Sequence, residues 1–358
     1  MASERQLAVG GGGQRGFVLV VTLWILAGVA IVVALVSLWA LDQVREANAA
    51  RADLEDQIAL LGVRDSVLYL AATRDMTLAG LPTRVLPDDE RAKRVLDEFG
   101  GFDRSPIGGE LRLDGSPYAG LSGITFSLQD ESGLMPLAWP GPADLDRFLL
   151  AQGARPDEVA ALRDAFLDYI DLDDLRRLNG AETREYERDG RSPPPQRRLL
   201  LPSEALRVKG WDTLPPQARV VLEDRVSTFY SGAVNLNAMP RALLPTWLGE
   251  CEETCDELVR QRAEQPFVSA RQLQLALGVR LPGDEATDYR FFGSDTLRLT
   301  LWGRQGAAYR IHVRLSPLAS RRAPWAVLAA YPVPRPDTDE PPTPTGSDFF
   351  TDPAPAGR

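Results

Sequence analysis

Between Asp168 and Tyr186 the chain reads Asp168-Tyr169-Ile170-Asp171-Leu172-Asp173-Asp174, then Asn179-Gly180-Ala181-Glu182 and Tyr186. Carboxylates this closely spaced after a helix can supply the hard oxygen ligands that calcium takes in sets of six to eight. Asp171, Asp173, Asp174 and Glu182 form the candidate set. Counted from Asp171 the spacing departs from the EF-hand template, which needs a glycine at its sixth place. A solvated acidic loop with helix-capping aspartates has the same composition, so calcium is an expectation from chemistry alone.

Other chemistry has few residues to work with. The chain holds two cysteines, Cys251 and Cys255, and one histidine, His312. A structural zinc site takes four Cys or His ligands, which this inventory does not provide. The cysteine pair is open to two readings, a disulfide or two free buried thiols; a bridge four residues apart would strain or end a helix. Asp130 with Glu131, or Asp168 with Asp171, could be imagined as an acid–base pair. However, there is no nucleophile elbow, no HExxH, no phosphate loop and no histidine with a plausible partner, so no enzyme is expected. Asp130-Glu131-Ser132-Gly133 reads instead as a turn, with Gly133 supplying a permissive dihedral. The net charge of -10 argues against a sequence-independent nucleic-acid surface.

The elements that must position these residues follow from periodicity. Phe17 to Leu41 is an apolar run without a charged residue, longer than the roughly 20 residues a helix needs to span a bilayer. A helical pattern continues through Leu54, Ile58, Leu61, Val67, Leu68 and Leu70 until Leu81-Pro82 breaks it. Gly120 to Asp130 alternates as a strand. From about Pro142 to Leu281 the pattern is helical, and strand character returns in Leu297–Trp302 and Ala308–Leu315. A helical block between separated strands predicts an α+β fold with a large helical insertion. Residues 332–358 carry eight prolines among 27 and are assigned no fold.

The start of the apolar run is the most specific signal. In a secretory leader a small residue follows the apolar core; here Gly16 precedes it, in Gln14-Arg15-Gly16-Phe17. This resembles a class III signal, cut on the cytoplasmic side between Gly16 and Phe17 by a prepilin peptidase, as in type IV pilins and pseudopilins. Most of that family carry glutamate as the fifth mature residue, where this chain has Val21. A carboxylate at that depth is costly and kept for a partner; its absence is similar to the K minor pseudopilins of type II secretion. Arg5 and Arg15 lie before the run, while Asp42, Arg45, Glu46 and Arg51 after it are mixed in sign, so the later residues are expected in the periplasm.

Two internal stretches resemble the same family. The K pseudopilins carry Asp-Trp-Ile-Asp-x-Asp, then Gly-Ala-Glu and a tyrosine; here Tyr169 replaces the tryptophan, and Gly180-Ala181-Glu182, Tyr186, Ser203-Glu204, Leu206-Arg207 and Gly210 follow. Val234-Asn235-Leu236-Asn237-Ala238-Met239-Pro240 opens a segment that looks like the family's sterile-alpha-motif-like, helix-hairpin-helix module. A similar module in DNA-uptake receptors binds phosphates. Here the hairpin segment 249–257 holds five acids and no base, so it would repel a nucleic-acid backbone.

The resemblance implies a cleaved leader over 1–16, a transmembrane helix over 17–41 and its periplasmic continuation over 42–80. A pilin-like antiparallel sheet is then implied over 81–140 and 291–330, around a helical insertion at 141–290. It implies a single-pass inner-membrane subunit at the tip of a pseudopilus, helping to start assembly with the I and J minor pseudopilins and other pseudopilins. Calcium is the one cofactor it suggests. A type IV pilus minor pilin, or a membrane-anchored periplasmic binding module, are the competing readings.

Overall fold

The computed structural model describes residues 15–96, 101–304, 306, 308–316, 323–334, 345–346 and 349–350; residues 1–14 of the expected leader lie outside them. The first compact unit ends at Gln57 and is built on helix α1 (Arg15–Thr73). From Phe17 to Leu41 its large apolar side chains are exposed, and the helix is long and apolar enough to cross a membrane. Beyond the run, Arg45 pairs with Asp42 and Arg51 with Glu55 along the helix surface.

The second unit begins at Ile58. Leu60, Val63, Val67, Leu70 and Ala71 recur at helical spacing and are buried in one core with Phe126, Leu128, Leu299 and Val313. The buried stripe differs from the expected one, since Leu54, Ile58 and Leu61 are exposed while Val67, Leu68 and Leu70 are buried. The helix also stops at Thr73 rather than at Leu81. Met76 turns into the core, and Gly80, at φ +137°, lies so close to the Leu111 carbonyl that a Cβ would fall 2.1 Å from its oxygen.

After α1 come β1 (Leu81–Pro82), α2 (Asp88–Lys93), β2 (Glu110–Leu111), β3 (Asp114–Ala119) and β4 (Thr125–Asp130). The insertion then holds β5 (Met135–Pro136), α3 (Pro142–Ala151), α4 (Val159–Ile170), α5 (Thr183–Arg188), α6 (Pro216–Asp224), β6 (Val226–Ser227) and β7 (Val234–Asn235). It continues with α7 (Pro245–Leu248), α8 (Glu252–Glu264), α9 (Ala270–Leu277) and β8 (Tyr289–Arg290). The chain returns as β9 (Thr296–Trp302), β10 (Ala308–Leu315) and β11 (Trp325–Pro332). The main sheet is antiparallel in the order β11-β10-β9-β4-β3, giving the α+β class that the sequence pattern predicts.

Two of its strands were not expected. β3 contains Gly115 and Pro117, residue types that usually interrupt strands, but β3 is an edge strand, where a missing ladder donor is tolerated. β11 is the other edge and is rich in alanine, a poor strand former. The proline-rich tail also has placed residues: Thr345 exchanges backbone hydrogen bonds with the β3 edge, donating to Pro117 and accepting from Ala119. Phe350 meets the Phe126 ring edge-on at 5.4 Å.

The insertion leaves and rejoins the sheet at one place, because Asp130 at the end of β4 is in register with Leu297 in β9. Asp130 is fully buried. Its carboxylate accepts from Ser132 N (3.1 Å) and Ser132 Oγ (2.5 Å) in the following turn, from Asn235 Nδ2 (2.9 Å) in β7, and from Ser294 Oγ (2.5 Å) before β9. Gly133 in that turn is not at positive φ, contrary to the sequence reading. Its requirement is close approach, since a Cβ would sit 2.5 Å from the Ala238 carbonyl oxygen.

The insertion has its own core. Trp211 is fully buried, donates from Nε1 to the Leu162 carbonyl at 3.0 Å and stacks on Phe166 at 4.8 Å. Replacing Asp130 with alanine leaves its four buried donors without their acceptor, so a loss of about 3 kcal/mol or more is expected. Chemical denaturation followed by tryptophan fluorescence measures it, and a loss under about 1 kcal/mol would contradict the role given to this carboxylate.

Candidate metal centre

Helix α4 places Asp164 and Asp168 four residues apart on one face, and Asp171 ends the helix in extended backbone. The chain then loops out through Leu172–Leu178 and returns at Asn179 and Gly180 beside the same face. Asn179 donates to Asp164 Oδ2 from its backbone N (3.3 Å) and from Nδ2 (3.2 Å). Gly180 permits the approach, because a Cβ there would fall 1.9 Å from Asp168 Oδ2. Glu182, just before α5, completes the return.

One carboxylate oxygen from each of Asp168, Asp171 and Glu182 lies within 4.8 Å of the others. Asp168 has no exposed surface and Glu182 is 2% exposed. Arg177 bridges two of the three: its Nη1 donates to Asp168 Oδ1 and Asp171 Oδ2, each at 2.6 Å, and its backbone N–H also points to Asp168. Burial pushes the Asp168 carboxyl up, against the pull of Arg177. Glu182 is pushed up to about 8, first by burial and then by the charges of Asp168, Asp171 and Asp174.

Among the described residues Asp171 Oδ1 is buried without a hydrogen-bond donor, and the two Glu182 oxygens meet none beyond the loose capping-box approach of the Glu185 backbone N–H. Buried carboxylate oxygens without donors are costly. Hard and convergent, they have the donor chemistry that a calcium ion takes, with Glu182 giving up its proton to the ion. Arg177 brings one positive charge to this pocket, which lowers but does not cancel the repulsion among three carboxylates.

The expected ligands divide. Asp171 and Glu182 are in the cluster. Asp174 is exposed but adjoins Glu182, and accepts from Thr183 N at 3.3 Å. Asp173 faces its own loop, accepting from Leu175 N at 2.8 Å. Asp168 was not expected as a ligand, although its place one helical turn before Asp171 on α4 was a usable signal. Glu182 stands twelfth from Asp171, the place of the bidentate glutamate in an EF-hand loop, but Arg176 stands at the sixth, so the sharp glycine turn of that loop has no counterpart.

The remaining sequence candidates lie elsewhere. Gly16 and Phe17 are in α1, and Val21 is on its apolar stretch. Cys251 and Cys255 form a disulfide with Cα atoms 5.2 Å apart. The strain expected within a helix is avoided because Cys251 is the non-helical residue before α8 (φ -143°, ψ 33°). His312 does have partners, unlike the sequence reading: Nδ1 is 2.6 Å from Glu131 Oε1 and Nε2 is 2.9 Å from the Tyr331 hydroxyl. It has no exposed surface, its ring lies against Phe229, and burial holds its pKa below the usual value. In this conformation it cannot meet a solute.

No protein-family model matches the chain, and no curated protein matches it. Among solved structures it is similar to a chain of the GspK-GspI-GspJ complex from the type 2 secretion system of enterotoxigenic Escherichia coli. The identity is 15%, over 79% of this chain and 99% of that one, with a TM-score of 0.47. A likeness this distant carries no argument about function.

Gly180→Ala should therefore displace Asp168 and lower stability by about 1–3 kcal/mol. Asp168→Ala in the same chain should recover part of the loss in a double-mutant cycle of thermal unfolding. Strict additivity of the two changes would count against the contact.

Proposed function

We propose that this chain is a minor pseudopilin of a bacterial type II protein secretion system, of the K type. One observation carries the reading: the Gly16-Phe17 junction stands at the head of an uninterrupted helix, with an apolar run directly after it and a folded α+β unit further along. A cut at that bond leaves the whole anchor on the mature protein, as assembly of a helical pseudopilus requires. The helix holds the subunit in the inner membrane with the second unit in the periplasm, until it packs with other pseudopilin helices.

Val21 supports a place at the tip. A fifth-residue carboxylate would be retained to meet a neighbouring subunit's terminal amine, and a subunit without one has no such neighbour to meet. The bulky insertion between β4 and β9 is compatible with that place, where nothing stacks above it. The I and J minor pseudopilins are its partners in starting the pseudopilus, and prepilin peptidase is the enzyme that processes it. It works by assembly, not catalysis.

Coexpression with a prepilin peptidase should yield a membrane-extracted chain whose intact mass and N-terminal sequence begin at Phe17. Retention of Gly16 under the same conditions would reduce the protein to an anchored periplasmic domain.

Calcium belongs to the same reading, held by Asp168, Asp171 and Glu182 with Asp174 at the edge. When bound it would supply positive charge that the orphaned oxygens lack, fixing the loop between α4 and α5. The expected signature is a reversal of sign. In chelator near pH 7, Glu182→Gln should match or exceed the wild-type unfolding temperature, because the neutral amide takes the place of a carboxyl that burial and its acidic neighbours already keep protonated. In millimolar calcium it should fall below wild type, which gains about 1–3 kcal/mol from the ion. Identical calcium responses in the two proteins would exclude Glu182 as a ligand.

A further inference from the structure

A cavity of about 410 Å³ lies in the second unit between the loops flanking β1 and β2 and the carboxyl end of α8. Arg262, in the last turn of α8, is its buried charged residue, only 6% exposed. Its Nη1 donates to the carbonyl oxygens of Leu236 (2.6 Å) and Met239 (2.7 Å). Its Nε is buried without an acceptor, and Nη2 makes no hydrogen bond among the described residues. Among the described residues no carboxylate pairs with this guanidinium, and burial draws its pKa down to about 10.

The other polar groups around the cavity are largely engaged. Glu110 Oε1 accepts from Thr77 Oγ1 (3.1 Å) and Ile107 N (2.6 Å). Arg112 pairs with Asp114 at 2.6 Å. Asn237 is bonded to the backbone of Phe267 and Phe291. Glu264 lines the cavity but is exposed. A second source of donors is the exposed pair Gly108-Gly109, whose amides donate to no protein acceptor among the described residues. Both glycines are at positive φ.

We propose that this cavity binds a carboxylate, received by the free edge of the Arg262 guanidinium and the Gly108-Gly109 amides. A planar carboxylate matches the Nε–Nη2 edge of a guanidinium with two parallel hydrogen bonds. Arg262 Nε is buried without a partner, so an ionised acceptor at this edge removes an existing penalty. The last turn of α8 and the two carbonyls hold the cation in position without neutralising it. The carboxylate comes either from a free small dicarboxylic acid or from an acidic side chain of a bound polypeptide.

The test uses the full chain in detergent at constant ionic strength. Its unfolding temperature is followed against succinate, against an N-acetylated and C-amidated tripeptide with one central aspartate, and against chloride. A saturable rise of about 3 °C at ten times the dissociation constant is expected with a carboxylate and not with chloride. A rise with succinate identifies a free anion as sufficient; a rise with the peptide alone identifies a polypeptide side chain. Arg262→Lys, which keeps the charge and loses the planar edge, should abolish the rise. If that variant fails to fold, Ala263→Phe, which fills the cavity from an exposed position on α8 and leaves Arg262 in place, decides. No carboxylate-specific rise, or a rise that survives Ala263→Phe, overturns the proposal.

Discussion

The second unit depends on the Asp130 carboxylate. A strand that ends in a buried charge must satisfy that charge at once, and Asp130 does so through groups far apart in sequence: the turn at Ser132, β7 at Asn235 and the return to the sheet at Ser294. Because β4 and β9 are neighbours in the sheet, the chain can depart for the whole insertion and come back with no break in the ladder. The insertion is thus tied at its root by charge-assisted hydrogen bonds, which are stronger and more directional than apolar contact. Gln129, one residue earlier, adds bonds from Nε2 to the carbonyls of Leu113 and Ala238. Sheet and insertion therefore keep separate hydrophobic cores and meet through a polar seam.

The seam continues on the far side of the turn. Glu131 reaches His312 in β10, and His312 reaches Tyr331 in β11. Asp224, at the end of α6, pairs with Arg310 in β10. The turn and the helix end both reach β10, and His312 carries the link on to β11, so one short turn and one helix end bear on two strands. Burial makes this arrangement sensitive to shape, because a buried polar group that loses its partner is costlier than one never buried.

Much of this was legible in the sequence where a single physical rule acts locally. Phe17–Leu41 declares its environment by composition, and β10 shows its two faces by alternation, so its bounds Ala308–Leu315 match the periodic run. The Asp-rich stretch announces a concentration of charge. Illegible parts are those fixed by distant partners. Gly115 and Pro117 suit an edge strand as well as a turn, and only the neighbouring strand distinguishes them. Alanines in β11 carry no pattern because that edge is half exposed. Thr345 and Phe350 lie in a proline-rich tail whose composition averages over the residues that bind. Asp168 is buried by the return of Gly180, which spacing along α4 cannot reveal, and the role of Gly133 comes from a carbonyl 105 residues later.

The insertion also holds a buried acid and a buried base that do not pair with each other. The Glu182 carboxyl has no donor beyond a loose capping-box approach, and the Arg262 guanidinium has no carboxylate partner among the described residues. Folding could have lowered the cost of either by replacing it with an apolar residue of similar volume, which is often neutral or stabilising. Their retention in separate places, each with neighbours arranged around the unsatisfied atoms, is expected if the compensating charge comes from outside the chain. For Glu182 the neighbours are carboxylates, which select a cation and repel an anion. For Arg262 they are amides and a guanidinium edge, which select an anion. The two sites thus differ in the sign of what completes them, and one soluble ion cannot complete both.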